Sequence, residues 1–306
     1  MNINSEVIEN LTNIVGEKSV LLDEPMSKHT TFRVGGAADV YLRPGSIAET
    51  VSLIGILKRM AVPYVIIGNG PNLLVSDKGI RGAVVEIGSG MEGYRVDDNI
   101  LYAEAGIKLS KLANIALRNS LSGLEFASGI PGTLGGAVCM NAGAYDGEMR
   151  DVIREVTYYD DKGNINTISN ERCEFDYRRS FFSGKNHVVL GCSLKLTKEE
   201  PEKIKSKMED YNKRRKEKHP LEKPSAGSTF KRPAGYFAGK LIQDAGLKGY
   251  SIGGAAVSEK HSGFVINDGD ATAKDIYELI LYIKRTVKSK FDVELEPEVK
   301  LIGDFS

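Results

Sequence analysis

At 306 residues the chain is long enough for two or three compact domains, and 41% hydrophobic with 27% charged residues is the composition of a globular protein, not of a disordered chain or a repeat array. Lys+Arg and Asp+Glu both total 41, so no global basic field is available to recruit nucleic acid or an anionic membrane. No window holds the roughly 18 apolar residues of a membrane span, Met1–Asn10 lacks the apolar stretch of a signal peptide, and the scattered Cys139, Cys173 and Cys192 form no disulfide framework; a cytoplasmic protein with reduced thiols is expected.

In chain order, Asp39–Leu42 reads as a short strand and Pro44-Gly45 as a turn. Ser46-x-x-Glu49 is a capping box that opens a helix with Ile47, Val51, Ile54 and Leu57 on one face. Val62–Ile67 is a second strand feeding the loop Gly68–Leu73, and Ala83–Ile87 a third. Val96–Ile100 reads as a hairpin turn, and Leu109, Leu112, Ala113, Ala116 and Leu117 as an amphipathic helix that stops before Gly123. Val152–Tyr159 and Val188–Leu196 look like strands around the Lys162-Gly163-Asn164 turn. Lys198–Lys223, with ten basic and seven acidic residues, is mostly a solvated helix and by composition a domain junction. Thr272-x-x-Asp275 caps a helix with Ile276, Leu279, Ile280, Ile283 and Val287 inward, and Val299–Ile302 is the last strand. Strands and helices mix without strict alternation, so the expected class is α+β.

The glycine loops differ in what they are able to hold. Gly88-Ser89-Gly90-Met91-Glu92-Gly93 is a literal GxGxxG, but strand and turn residues follow it, and a dinucleotide fingerprint needs a helix there. Gly68-Asn69-Gly70-Pro71-Asn72-Leu73 leaves a strand with amides able to face an anion. Gly129-Ile130-Pro131-Gly132-Thr133-Leu134-Gly135-Gly136-Ala137 lets a diphosphate approach the backbone, with Thr133 as a further donor. The plainer reading of each is a tight turn; the two together point to a large, flat, diphosphate-bearing ligand.

His29-Thr30-Thr31-Phe32-Arg33-Val34-Gly35-Gly36, the Gly68 loop, and Gly129 through Tyr145 resemble the FAD-binding segments of UDP-N-acetylenolpyruvoylglucosamine reductases. Tyr177-Arg178-Arg179-Ser180, Gly227-Ser228-Thr229-Phe230-Lys231, Ala245–Gly249, His261–Asn267 and Glu296-Pro297-Glu298-Val299 follow in the family's order. The resemblance implies a two-part FAD-binding domain of the vanillyl-alcohol-oxidase (PCMH) type, residues 1–88 and 89–199, and a C-terminal α+β substrate-binding domain, 200–306, whose last strand is able to pack back on the FAD domain. It implies non-covalent FAD, with Arg33, Gly35, Gly68, Asn69, Gly70, Asn72, Leu73, Gly129, Pro131, Gly132, Thr133, Gly135, Gly136 and Asn141 as cofactor-binding residues. The short gap from Ser180 to Val188 resembles the family's shorter type, without the extra tyrosine-bearing loop. Pro71 stands where the family usually has serine, and Arg232 where many members have asparagine.

The implied reaction uses NADPH to reduce the enolpyruvyl double bond of a UDP-sugar. Charge passing into the substrate carboxylate needs fixed positive or hydrogen-bonding groups, and the neighbouring carbon needs a proton. The resemblance assigns the proton to Ser228, the carboxylate clamp to Arg178, whose planar fork suits bidentate pairing, and a third role to Glu298. By residue type alone Glu296 is indistinguishable from Glu298; the family pattern favours the residue before Val299. Arg215, Lys218, Arg232, His261 and Tyr177 are the expected substrate-binding residues. No cluster has metal-ligand spacing, so no metal is expected. No apolar stripe is spare, which favours a monomer without fixing the oligomeric state. The alternatives are an FAD-dependent oxidase of the same superfamily and a non-catalytic flavin- or nucleotide-binding module. A serine hydrolase lacks its G-x-S-x-G elbow.

Overall fold

The computed structural model of the chain describes residues 3–306, so the first two residues of Met1–Asn10 lie outside the description. Contacts divide the chain into two units. One comprises the residues up to Leu21 with Val40–Asn69 and Gly82–Arg215; the other comprises Leu22–Asp39, Gly70–Arg81 and Lys216–Ser306.

The first unit is built on a five-stranded antiparallel sheet in the order Ile165–Ser169, Ile153–Tyr159, Val188–Lys195, Ile100–Glu104, Tyr94–Asp97. Leu101 and Ala103 are buried opposite Leu194 and Cys192, while the alternate residues Tyr102 and Glu104 stay half-exposed, the alternation a one-sided sheet requires. Asp97 pairs with Ile100 across the expected hairpin turn, with Asp98 in left-handed backbone at φ 51°. The Lys162-Gly163-Asn164 turn joins Ile153–Tyr159 to Ile165–Ser169, a strand the sequence reading did not contain. Val188–Lys195 pairs along the other edge of Ile153–Tyr159. After Gly88–Gly93 comes the strand Tyr94–Asp97, so no helix follows the GxGxxG.

Two helices cover this core. Ile47–Arg59 starts at Ser46, whose hydroxyl accepts from Glu49 N at 3.1 Å, but the Glu49 carboxylate reaches Gly45 N (2.7 Å) and not the Ser46 amide. Its buried residues are Thr50, Leu53, Ile54 and Leu57, so the inward face is turned slightly from the expected one and Val51 is only half-covered. Leu109–Arg118 buries Leu109, Leu112, Ala113 and Ala116 as expected, with Ile115 in place of Leu117. At the start of the chain, Ser5–Val15 is a helix capped by Asn4, burying Val7 and Leu11.

The second unit carries a three-stranded antiparallel sheet, Ser251–Ile252, Ala255–Val257 and Val265–Asn267, covered by the helix Ala273–Phe291. Ile276, Leu279, Ile280, Ile283 and Val287 are all buried, and both halves of the Thr272/Asp275 capping box are present. Asp77 supplements that cap: its two carboxylate oxygens accept from Ala273 N and Lys274 N at 2.9 Å each, where the helix dipole favours an anion. The last strand, Lys300–Ile302, pairs in parallel with Leu73–Val75. Among the described residues no helix is long and apolar enough to cross a membrane, and no three His, Cys, Asp or Glu side chains group as metal ligands would.

Candidate active site

In the first unit the two phosphate-type loops touch. Gly68 has ordinary backbone dihedrals, but a Cβ there would collide with Thr133 Oγ1, so glycine is required by close approach alone. The Thr133 loop is laced to the turn before helix Leu109–Arg118: Leu109 N donates to Gly132 O (3.0 Å), Leu134 N to Ile107 O (2.9 Å) and Gly135 N to Ala105 O (2.8 Å). Gly135 is buried, its amide engaged and Ala105 3.0 Å from where a Cβ would lie, while Pro131 and Gly136 remain exposed.

Asn141 ends the short helix Leu134–Met140 in left-handed backbone (φ 46°) and is fully buried. Its Nδ2 donates to Asp176 O (3.1 Å) and its Oδ1 accepts from Arg150 N (2.9 Å). The first of these bonds anchors the segment bearing Tyr177 and Arg178. Asp176 and Arg179 exchange both backbone hydrogen bonds, which makes Tyr177-Arg178 the tip of a tight turn. Arg178 sits there at φ 54°, conformationally unfavourable for a bulky residue. Its Nη2 donates to Gly143 O (3.3 Å) and its guanidinium lies 5.1 Å from the centroid of the exposed Tyr177 ring.

Arg215 lies beside the start of the glycine loop: a Cβ on Gly129 would be 3.2 Å from Arg215 Cδ and 2.6 Å from Asn212 Oδ1. Burial pushes the Arg215 pKa down, with nearby Tyr145 acting in the opposite sense, and among the described residues no acidic side chain pairs with it. Tyr145 stacks on Tyr211 (centroids 4.3 Å apart, rings 8° from parallel), donates from its hydroxyl to Tyr211 O (2.6 Å), and is itself in left-handed backbone at φ 57°. The sequence reading assigned no role to this pair, although Tyr211 and Arg215 are four residues apart on one helix.

In the second unit, two expected cofactor segments pack together. Gly70 (φ 67°) has no room for a Cβ against the His29 carbonyl, and Thr31 Oγ1 donates to Pro71 O at 3.2 Å. Arg33 is exposed at φ 58°, and Gly35 lies against Val75. Pro71, the departure from the family's serine, thus offers its carbonyl to Thr31. Asn69 and Leu73 lie at the ends of this loop, Asn69 in the first unit and Leu73 opening the strand Leu73–Val75.

The serine segment is held along both sides. Thr229, buried, donates its N–H to Gly263 O (2.9 Å) and accepts from Val265 N on its hydroxyl (2.9 Å). Its carbonyl accepts from Glu298 N at 2.9 Å, and Lys231 N donates to Glu296 O at 2.9 Å. Ser228 is exposed next to this fixed residue. The two carboxylates have different surroundings. Glu296 is exposed and ion-paired with Lys231 (2.5 Å), whereas Glu298 is half-covered and its carbonyl accepts from Asn72 Nδ2 (2.9 Å).

His261 packs with His219 and Phe264, ring centroids 5.8 and 5.0 Å away. Burial lowers its pKa, a backbone hydrogen bond raises it, and the Lys218 charge lowers it again. Its Nδ1 accepts from Gly263 N (3.0 Å), so the neutral ring carries its proton on Nε2. Lys218 is exposed, as is Arg232, whose guanidinium stacks 3.9 Å over the Phe237 ring.

Residues 38–169 match the FAD binding domain family, and 219–302 match the family of UDP-N-acetylenolpyruvoylglucosamine reductase C-terminal domains. The UDP-N-acetylenolpyruvoylglucosamine reductase of Caldanaerobacter subterraneus subsp. tengcongensis is 54% identical over 298 residues, 97% of this chain and 98% of that one. The enzyme of the same name from Clostridioides difficile is 49% identical over 301 residues, 98% and 99% of the two chains. Among solved structures, UDP-N-acetylenolpyruvylglucosamine reductase from Thermus caldophilus superposes with a TM-score of 0.77 at 34% identity, covering 93% of this chain and 98% of that one. The α+β chain, an FAD-binding domain of the PCMH type followed by a reductase C-terminal domain, belongs to the UDP-N-acetylenolpyruvoylglucosamine reductase family.

Proposed function

We propose that Ser228, Arg178 and Glu298 carry the reduction of the enolpyruvyl double bond of UDP-N-acetylglucosamine enolpyruvate. The chain is an NADPH-dependent FAD oxidoreductase of peptidoglycan precursor synthesis, acting on a small-molecule UDP-sugar to give UDP-N-acetylmuramate. The residues present fit FAD: in the Gly68–Leu73 loop neither Gly68, against Thr133, nor Gly70, against His29, has room for a Cβ. In this reading Arg33, Gly35, Gly68, Asn69, Gly70, Leu73, Gly129, Pro131, Gly132, Thr133, Gly135, Gly136 and the Asn141 turn shape the cofactor cradle. Bound FAD, reduced by NADPH, supplies the hydride.

The chain's own groups manage charge and protons. Arg178 presents a guanidinium at a turn tip and clamps the substrate carboxylate as negative charge grows on it. Ser228 delivers a proton to the carbon beside that carboxylate; a hydroxyl is acid enough for so basic an acceptor. Glu298 stands at the carboxylate as a hydrogen-bonding partner. The observation that carries these roles is the Glu298 N to Thr229 O hydrogen bond, which puts Glu298 on the rung beside the serine segment while Glu296 is neutralised by Lys231.

Arg215 and Lys218 bind the diphosphate, and Tyr177, Arg232 and His261 contact the substrate, His261 through Nε2–H. A partly desolvated cation with no acidic partner among the described residues supports the Arg215 assignment. Residues 1–88 and 89–199 form the two parts of the FAD domain and 200–306 the substrate domain. In this reading the protein is cytoplasmic, in keeping with three cysteines that form no disulfide, and a monomer is favoured.

The test is Ser228→Ala, followed anaerobically. NADPH bleaches its flavin at the normal rate, and reoxidation by enolpyruvyl substrate slows on the order of a hundredfold or more. Near-normal turnover removes Ser228 from its role.

A further inference from the structure

The peptide of Glu298 is held from two directions. Its N–H donates to the carbonyl of Thr229, the residue after Ser228, at 2.9 Å. Its carbonyl accepts from the Asn72 carboxamide Nδ2, also at 2.9 Å. The Asn72 carbonyl in turn accepts from Lys300 N (2.9 Å), the first rung of the parallel pairing between Leu73–Val75 and Lys300–Ile302. The Asn72 side chain therefore carries that ladder past its end, to the residue bearing the carboxylate. Two residues earlier, the Glu296 carboxylate pairs with Lys231, and Pro297 between them bridges to Phe230.

We propose that Asn72 is a positioning residue for the reduction, acting through Glu298 and not through a side-chain bond to the flavin. The inference rests on the reading of Glu298 as the carboxylate of the reaction. A peptide fixed at both N–H and C=O leaves Glu298 only its side-chain torsions, so its carboxylate samples a narrow volume. Without the Asn72 donor the Glu298 carbonyl loses that hold, and displacement by about 1 Å at a reacting centre lowers a rate by roughly a hundredfold. Asn72 belongs to the loop expected to hold the cofactor, so the same residue links the shape of that loop to the placement of the acidic group.

The experiment compares Asn72→Ala, Asn72→Asp, Asn72→Gln and Glu298→Gln as holoenzymes. FAD affinity is read from flavin fluorescence quenching, folding from thermal melts, and the two half-reactions separately by anaerobic stopped flow. Asn72→Ala is expected to bind FAD within about threefold of wild type and to be bleached by NADPH at the normal rate. Its reoxidation by UDP-N-acetylglucosamine enolpyruvate is expected to fall between about tenfold and a hundredfold. Asn72→Asp keeps the shape but sets a carboxylate oxygen against the Glu298 carbonyl, and is expected to be no faster than Asn72→Ala. Asn72→Gln retains the donor and recovers part of the rate.

Parallel losses in FAD affinity and in both half-reactions would make Asn72 a cofactor contact and overturn the proposal. So would normal reoxidation in Asn72→Ala alongside slow reoxidation in Glu298→Gln, which leaves the role of Glu298 intact. Normal reoxidation in Glu298→Gln overturns that role and the positioning role with it. An Asn72→Ala variant that melts early is read through Asn72→Gln: a stable Asn72→Gln as slow as Asn72→Asp also overturns the proposal.

Discussion

Arg215 closes a stripe that is otherwise apolar. On the helix Pro201–Lys218 the inward positions are Ile204, Met208 and Tyr211, and the next one along is Arg215. The helix thereby places a half-covered Arg215 beside Gly129, where burial pushes its pKa down and, among the described residues, no acidic side chain pairs with it. An unpaired desolvated charge is a cost to the folded protein that an anionic ligand offsets. Arg215→Met is accordingly expected to melt no earlier than wild type while raising the KM for the UDP-sugar roughly tenfold to a hundredfold, the loss of a charge-assisted hydrogen bond. A melting point lowered with KM unchanged would make Arg215 a structural residue. At this scale the sequence was informative about residue type and silent about choice. Arg215 and Lys218 read alike, but one is half-covered and the other exposed. Glu296 and Glu298 read alike too, and the Lys231 ion pair that marks off Glu296 is made across 65 residues.

Elements were legible where their determinants are local. The hydroxyls of Ser46 and Thr272 cap their helices as expected, because cap and first turn are adjacent in sequence. The strand Ile165–Ser169 was not legible: of its residues Ile168 alone is buried, Ile-Asn-Thr-Ile-Ser shows little apolar alternation, and its strand character comes from pairing with Ile153–Tyr159. The contact between the two glycine loops was equally hidden, since Gly68 and Thr133 are far apart in the chain. That contact has a measurable consequence. Gly68→Ala introduces no backbone strain, so its cost is the collision with the Thr133 hydroxyl, about 1–3 kcal/mol by analogy with overpacked cores. In a Thr133→Ala background the same substitution is expected to cost much less. Additive melting or denaturant data for the double mutant would show that the two loops do not meet through that hydroxyl.

For the whole molecule, composition and order of motifs identified the class and the chemistry, while the way the chain is partitioned did not show in the sequence. Leu22–Asp39 and Gly70–Arg81 belong by contacts with Lys216–Ser306, and the bonds that fix them there, such as Asn72 to Glu298 and Asp77 to Ala273, span some 200 residues. No periodicity or composition shift marks such pairings.

The central claim is that this chain takes hydride from NADPH and delivers it to an enolpyruvyl UDP-sugar, and the visible spectrum tests it most directly. The purified protein is titrated anaerobically with NADPH and then with UDP-N-acetylglucosamine enolpyruvate. A yellow protein bleached by the first and recoloured by the second, one equivalent for one, is the predicted result. A protein that cannot take up FAD, or whose bleached flavin recolours only in air, would contradict it.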